Sequence, residues 1–377
     1  MRPETACIHA AKDKTQNTGA VAVPIYQSAT FSHPGVGQST GYDYSRSGNP
    51  TREYAEALLA ALEDGAGALG FSTGMAAISA LMELFSPGDE MIATEDLYGG
   101  TIRLFEHISE KNGVVVKYVN TSDLAAVEAA ISEKTKGVFI ESPTNPMMHV
   151  TDIAGVKERI GGREILLIVD NTFLTPYFCK PISLGADIVV HSGTKYLGGH
   201  NDTLSGFLVA ATGSLDEKLR FIQKTTGAVL APFDSFLIAR GVKTLALRME
   251  KSQENALKIA RWLQGHPKVK EVLYTGLPEH PARVLSGRQA SGFGSMISFS
   301  VDSTETAYRI LNNVKLILFA ESLGGVETLI TYPLTQTHAD VPEADRLSRG
   351  IDDKLLRLSV GIEAADDIIG DLAEALG

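Results

Sequence analysis

Cysteine is nearly absent from this chain: Cys7 and Cys179 are the only two in 377 residues. A disulfide framework is therefore excluded, and a reducing compartment fits best. No apolar run approaches the length that spans a bilayer. The opening stretch MRPETACIHAAKDK lacks the apolar centre of a secretory signal. The sequons at Asn120 and Asn201 therefore read as accidental, and a cytoplasmic location is expected. Basic charge is in deficit, with 34 Lys and Arg against 45 Asp and Glu for a formal net charge of −11. That balance argues against nucleic acid or an anionic membrane as a partner.

Several catalytic signatures are missing too. The nine histidines include no H-x-x-x-H pair and there is no C-x-x-C, so no metal site is expected. Neither a Walker P-loop nor a G-x-S-x-G elbow occurs. Residues 65–70, GAGALG, do match the dinucleotide fingerprint, but they follow a helical pattern and run into a strand-like stretch. The fingerprint needs the reverse, a strand opening into a helix.

What is present is an ordinary globular composition, 44% hydrophobic and 21% charged, in a chain long enough for two domains. Residues 1–48 show little apolar period but carry Ile25, Tyr26, Phe31, Tyr42 and Tyr44. An arm so aromatic is expected to dock on another surface, such as that of a neighbouring subunit. Asn49-Pro50 starts a helix as N-cap and first helical residue, and Gly65 stops it. Short apolar runs then alternate with helical patterns: 91–93, 114–119, 137–140, 165–169, 188–190 and 205–210. This alternation predicts an α/β domain with a mostly parallel sheet over residues 49–235. A helical region from Phe233 to Gln264 leads into a smaller α+β domain, residues 236–377, with strands predicted at 269–274, 295–301 and 355–360. Residues 276–294 read as a Gly- and Pro-rich loop.

Chemistry concentrates between Ile165 and Gly199. The apolar run 165–169 ends on Asp170, and the run 188–190 ends on His191-Ser192-Gly193-Thr194-Lys195. Ligands of open α/β sheets sit beyond the carboxyl ends of such strands. A lysine there can form a Schiff base with an aldehyde, and an aspartate can keep a pyridine nitrogen protonated. Ser72-Thr73-Gly74-Met75 opens a helix whose N-terminus suits a phosphate. These are the requirements of pyridoxal 5′-phosphate.

Eight segments in order carry a family likeness: YDYSRSGNPTR (42–52), STGMAA (72–77), DLYGGT (96–101), ESPTNP (141–146), VDNTF (169–173), HSGTKYLGGH (191–200), AESLGGVETL (320–329) and LLRLSVGIE (355–363). Together they resemble the pyridoxal-phosphate enzymes of trans-sulfuration, the cystathionine γ-synthase and cystathionine lyase group. The resemblance implies fold type I and a Schiff base on Lys195. Asp170, supported by Thr172, would face the ring nitrogen, with Tyr98 stacked on the ring and assisting proton transfer. It implies that Gly74, Met75, Ser192 and Thr194 hold the phosphate, with Tyr44 and Arg46 reaching it from a neighbouring subunit of a homotetramer. Arg357, with Asn145 and Ser322 nearby, would bind the substrate α-carboxylate. The alternation of Leu356-Arg357-Leu358-Ser359 independently puts Arg357 and Ser359 on one strand face.

Glu321 and Arg103 match residues that select among these activities. Gly100 stands where methionine γ-lyases carry cysteine, and ITYPLTQTHAD (330–340) is most like bacterial γ-synthases. The implied activity is γ-replacement on an activated homoserine, with cystathionine γ-lyase or β-lyase as alternatives; an aminotransferase or a non-catalytic binding protein is more remote. Thr275 departs from the family's usual proline.

Overall fold

The computed structural model of the protein describes residues 1–14, 19–339, 341 and 343–377. Residues 15–18 of the expected arm and residue 340, which ends the 330–340 stretch, lie outside the described residues. The larger sheet has seven strands: β1 (Gly67–Phe71), β2 (Glu90–Thr94), β3 (Val115–Val119), β4 (Thr135–Glu141), β5 (Leu166–Asp170), β6 (Ile188–Ser192) and β7 (Gly206–Ala210). Their order is β1-β7-β6-β5-β4-β2-β3. The five strands β2 to β6 run parallel, as the alternation predicts. β7 instead returns antiparallel to β6, and β1 pairs antiparallel with β7. The stretch between β6 and β7 folds into turns around Lys195 rather than a crossover helix, so no parallel return is available.

The central strands are apolar on both faces because helices cover both. Leu167 and Val169 pack with Leu58, Leu59 and Met249 on one side. Ile168 packs with Leu81, Phe105 and Phe139 on the other. Each such buried side chain contributes about 1.5–3 kcal/mol of transfer free energy. Helix Pro50–Leu62 begins as predicted, Asn49 Oδ1 accepting from the amides of Thr51 and Arg52. The GAGALG glycines serve packing: β1 consumes Gly67–Gly70, and a Cβ on Gly67 would stand 2.1 Å from the Asp216 carboxylate.

A smaller sheet follows, in the order β10-β11-β12-β9-β8: β8 (Val269–Leu273), β9 (Met296–Val301), β10 (Leu318–Phe319), β11 (Leu329–Thr331) and β12 (Leu355–Ser359). It has its own core around Ile297, Phe299, Leu356, Leu358 and Leu372. The single helical region expected over 233–264 is two helices, Pro232–Val242 and Leu245–Gln264, broken at Lys243-Thr244. The division placed at residue 235 therefore falls inside a helix that packs beside Pro50–Leu62.

One further expectation is corrected, and one element is added. The 276–294 loop contains a helix, Arg283–Gln289, and Tyr274 and Thr275 anchor it through bonds to Gly294 and Phe293 carbonyls. The arm opens on a helix, Pro3–His9, whose Cys7 is buried in this chain's own core. Among the described residues, no helix is long and apolar enough to cross a membrane.

Candidate active site

A cavity of about 340 Å³ opens beyond the carboxyl ends of β4, β5 and β6, closed on one side by residues from the smaller sheet. Its wall includes Gly74, Met75, Tyr98, Asn145, Asp170, Thr172, Ser192, Thr194, Lys195, Glu321, Ser322 and Arg357. Twelve residues spread over nearly 300 positions of sequence thus meet in one place. Asp170, Thr172, Ser192, Thr194 and Lys195 arrive there because an apolar strand ends at the rim, and Gly74, Met75 and Tyr98 because a helix begins there. Arg357 instead comes from the middle of β12, and Asn145, Glu321 and Ser322 come from loops.

Asp170 is the last residue of β5. The Thr172 amide donates to its Oδ1 at 2.9 Å, and the Thr172 hydroxyl accepts from the Ser192 amide at 2.9 Å. Thr172 therefore laces the tips of β5 and β6 together. Burial pushes the Asp170 carboxyl up, against the Thr172 hydrogen bonds and the nearby His191.

Lys195 sits in the turn after β6, its ammonium donating to Ser322 Oγ at 2.8 Å. Burial, then repulsion from Arg357, lowers its pKa from the ordinary 10.5 to about 8, with Glu321 pulling the other way. Ser322 itself adopts a left-handed φ of 97°, strained for a residue with a side chain. That conformation lets its hydroxyl meet Lys195 while its carbonyl meets Arg357.

The helix Gly74–Met82 points its N-terminus into the cavity, capped by Thr73, whose Oγ1 accepts from Ala76 at 2.9 Å. The Gly74 and Met75 amides precede the intrahelical ladder, leaving two N–H donors for an anion. Backbone approach here is close: a Cβ on Gly206 would lie 2.2 Å from the Thr73 carbonyl. Ser192 faces Gly74, and the Thr194 hydroxyl is held by the backbone of Ser205.

Arg357 on β12 is 1% exposed. Its Nη1 donates to Asn145 Oδ1 at 2.8 Å, and its Nη2 donates to the Ser322 carbonyl at 3.0 Å and Thr331 Oγ1 at 3.1 Å. Nε is buried with no partner among the described residues. An unmade buried donor costs about 1–3 kcal/mol, and an anionic ligand group at this end could supply the missing acceptor.

Three predicted residues are not brought to this cavity. Tyr44 is 47% exposed and the Arg46 guanidinium donates to the Lys224 carbonyl. Arg103 is exposed on the helix Gly99–Asn112 and does not line the wall.

One residue that the sequence reading passed over does line it. Glu141 ends β4 as Asp170 ends β5, the two lying in register. Its Oε2 accepts from the Tyr98 amide at 3.1 Å. Burial, and then the neighbouring Asp170, hold its carboxyl well above the usual range. The same signal, an apolar run closed by an acid, marks both residues.

The donor set fits pyridoxal phosphate: an amine of lowered pKa, a half-buried carboxylate whose Oδ1 alone accepts from the Thr172 amide, and two free amides at a helix N-terminus. The profile of the family described as Cys/Met metabolism PLP-dependent enzyme matches residues 4–377. The chain belongs to this pyridoxal-phosphate-dependent family. Cystathionine γ-lyase of Bacillus subtilis is 49% identical over 100% of this chain and 99% of its own. Cystathionine γ-synthase of Haemophilus influenzae is 48% identical over 99% of this chain and 97% of its own. The crystal structure of cystathionine γ-lyase from Lactobacillus plantarum complexed with L-serine has a TM-score of 0.96 at 45% identity. The match covers 100% of this chain and 98% of that one. Members of the family with different C–S chemistries are thus almost equally similar, and the branch must be argued from the site.

Proposed function

We propose that the protein joins a thiol, cysteine or sulfide, to the Cγ of an activated homoserine, as a cystathionine γ-synthase does. The observation that carries the γ-chemistry is Glu321 in the cavity wall, close enough to act on the Lys195 charge; the lean from lyase to synthase rests on the likeness of the stretch 330–340 to bacterial γ-synthases. A carboxylate there suits the distal ammonium of cysteine or of a thioether product, which a simple keto-acid exchange would not need. Gly100 speaks against a methionine γ-lyase side chain at that position, since a Cβ would come within 2.5 Å of the Tyr98 ring. Cystathionine γ-lyase activity is the second reading, favoured by the 49% identity to the B. subtilis enzyme.

When bound, the cofactor supplies an electron-accepting ring conjugated to the substrate α-carbon. The protein's own groups do the rest in this reading. Lys195 would hold the cofactor, and its amine would serve as the base toward the Cα proton; a pKa near 8 suits an amine to base work near neutrality. Asp170 would face the ring nitrogen, Gly74, Met75, Ser192 and Thr194 would hold the phosphate, Tyr98 would stack on the ring and assist proton movement, and Arg357 with Asn145 would bind the α-carboxylate.

The outward placement of Tyr44 and Arg46 supports a site completed by another copy. So does an apolar rim beside the cavity, with Leu204 61% and Leu318 50% exposed. We propose a homotetramer of two such dimers.

Purified holoenzyme given O-acyl-homoserine plus cysteine should form cystathionine faster than it cleaves cystathionine; the opposite ratio would overturn the synthase assignment. Glu321→Ala should shift that ratio roughly tenfold or more, about the value of one charge-assisted hydrogen bond. An unchanged ratio would remove Glu321 from the specificity role. Capture of pyridoxal phosphate by the apoprotein should accelerate through a midpoint near pH 8, because only the neutral amine attacks and Lys195 titrates there. A midpoint near the ordinary lysine value would show that burial does not activate this amine.

A further inference from the structure

We infer that the helix Leu245–Gln264 is a positioning strut: Arg248 and Asn255 fix the Lys195 turn and the strand carrying Arg357 at a set separation. The inference rests on the roles proposed above for Lys195 and Arg357.

Arg248 is 5% exposed, yet its bonds run to neutral groups alone. Nη1 donates to the Tyr196 carbonyl at 2.6 Å, Nη2 to the Gly241 carbonyl at 2.8 Å and Nε to Thr244 Oγ1 at 3.1 Å. Tyr196 is the residue after Lys195. The turn then closes on itself, the Gly199 amide donating to the Lys195 carbonyl at 2.7 Å. Gly199 has a φ of +73°, and a Cβ there would lie 2.1 Å from Arg248 Nη1. A Cβ on Gly241 would likewise lie 2.3 Å from the Gly198 carbonyl. The backbone behind the lysine is thus shaped around one guanidinium. A rigid fork of donors spans carbonyls from two segments, which a lysine's single ammonium does not. Burying a cation without a carboxylate is costly, and burial does lower the Arg248 pKa to about 10. Such an expense is consistent with a residue kept for geometry.

Asn255 lies seven residues further along, two turns or about 10.5 Å, and so on the same helix face. It is 1% exposed, and its Nδ2 donates to the carbonyls of Gly361 at 3.1 Å and Glu363 at 2.7 Å. These residues continue directly from β12, four and six positions after Arg357. One rigid element therefore grips the backbone just behind both ends of the substrate site.

Arg248→Lys should raise the pH midpoint for pyridoxal-phosphate capture by about half a unit or more, as the loosened turn lets water reach the Lys195 amine. Its KM for the amino acid should stay within about twofold. Asn255→Ala should do the converse: KM rises about fivefold, the value of one lost hydrogen bond, and the capture midpoint stays in place. Equal effects of both variants on both parameters, or none on either, would overturn the strut. Should Arg248→Lys fail to accumulate, Thr244→Val removes the Nε acceptor together with the hydroxyl's own bond to the Gly241 carbonyl, leaves both Nη bonds in place, and must move the midpoint upward to a smaller extent; an unmoved midpoint overturns the inference. Borohydride trapping of the unaltered protein, with Lys195→Ala as the blank, tests the underlying site reading separately.

Discussion

Lys195→Ala will abolish turnover, lowering kcat by about 10⁴-fold or more. Loss of a positioned general base alone costs roughly 10²- to 10⁴-fold, and this side chain is also the one proposed to hold the cofactor. After borohydride reduction and unfolding, the variant will carry no ring absorbance, whereas the unaltered chain will. Retained turnover would remove Lys195 from the chemistry. The same substitution should stabilise the apoprotein. An amine with a folded-state pKa near 8 and an unfolded value of 10.5 makes the protonated form unfavourable in the fold. The penalty is about 3 kcal/mol, present in full below pH 8 and gone above pH 10.5. Lys195→Met should therefore raise the unfolding midpoint of the apoprotein at pH 7, with the gain shrinking as pH climbs past 8. A destabilised variant at pH 7 would show that the amine is not held at a cost to the fold.

Arg357→Lys should lower kcat/KM by roughly 10- to 150-fold, mainly through KM, with the cofactor spectrum unchanged. A charge-assisted hydrogen bond is worth about 1.5–3 kcal/mol, and each 1.4 kcal/mol is about tenfold. Lysine retains the charge but not the planar fork that meets Asn145, Ser322 and Thr331 together. An altered spectrum would mean that Arg357 serves the cofactor instead. Unchanged kinetics would mean that another group takes the carboxylate.

Much of this site was readable along the chain, for a definite reason. A parallel strand buried on both faces leaves an uninterrupted apolar run, so the residue that ends it announces itself; Asp170 and Ser192 were found that way. Glu141 ends the run 137–140 in the same manner, and was readable by the same rule. Arg357 betrayed itself through alternation in a strand whose aliphatic neighbours form the smaller core. Other features lacked any periodic signal. β10 and β11 are two and three residues long, too short for a period to register. The helix Pro3–His9 offers one buried side chain, Cys7, instead of an apolar stripe. The break at Lys243-Thr244 lies between two amphipathic stretches whose patterns join smoothly. Tyr44, Arg46 and Arg103 mark a different limit: the family likeness gives them a role, and they do not line this cavity.

The closeness of Gly206 to the Thr73 carbonyl bears on how this scaffold tolerates change. Gly206 never faces a ligand, carries no functional group and stands on the one strand of its neighbourhood that runs backwards. Any larger residue there must lever the first turn of Gly74–Met82 away from Ser192, splaying the anion clasp without touching it. In an exhaustive substitution screen, position 206 should prove nearly as unforgiving as the reactive lysine, its variants folding but losing their grip on the phosphorylated vitamin.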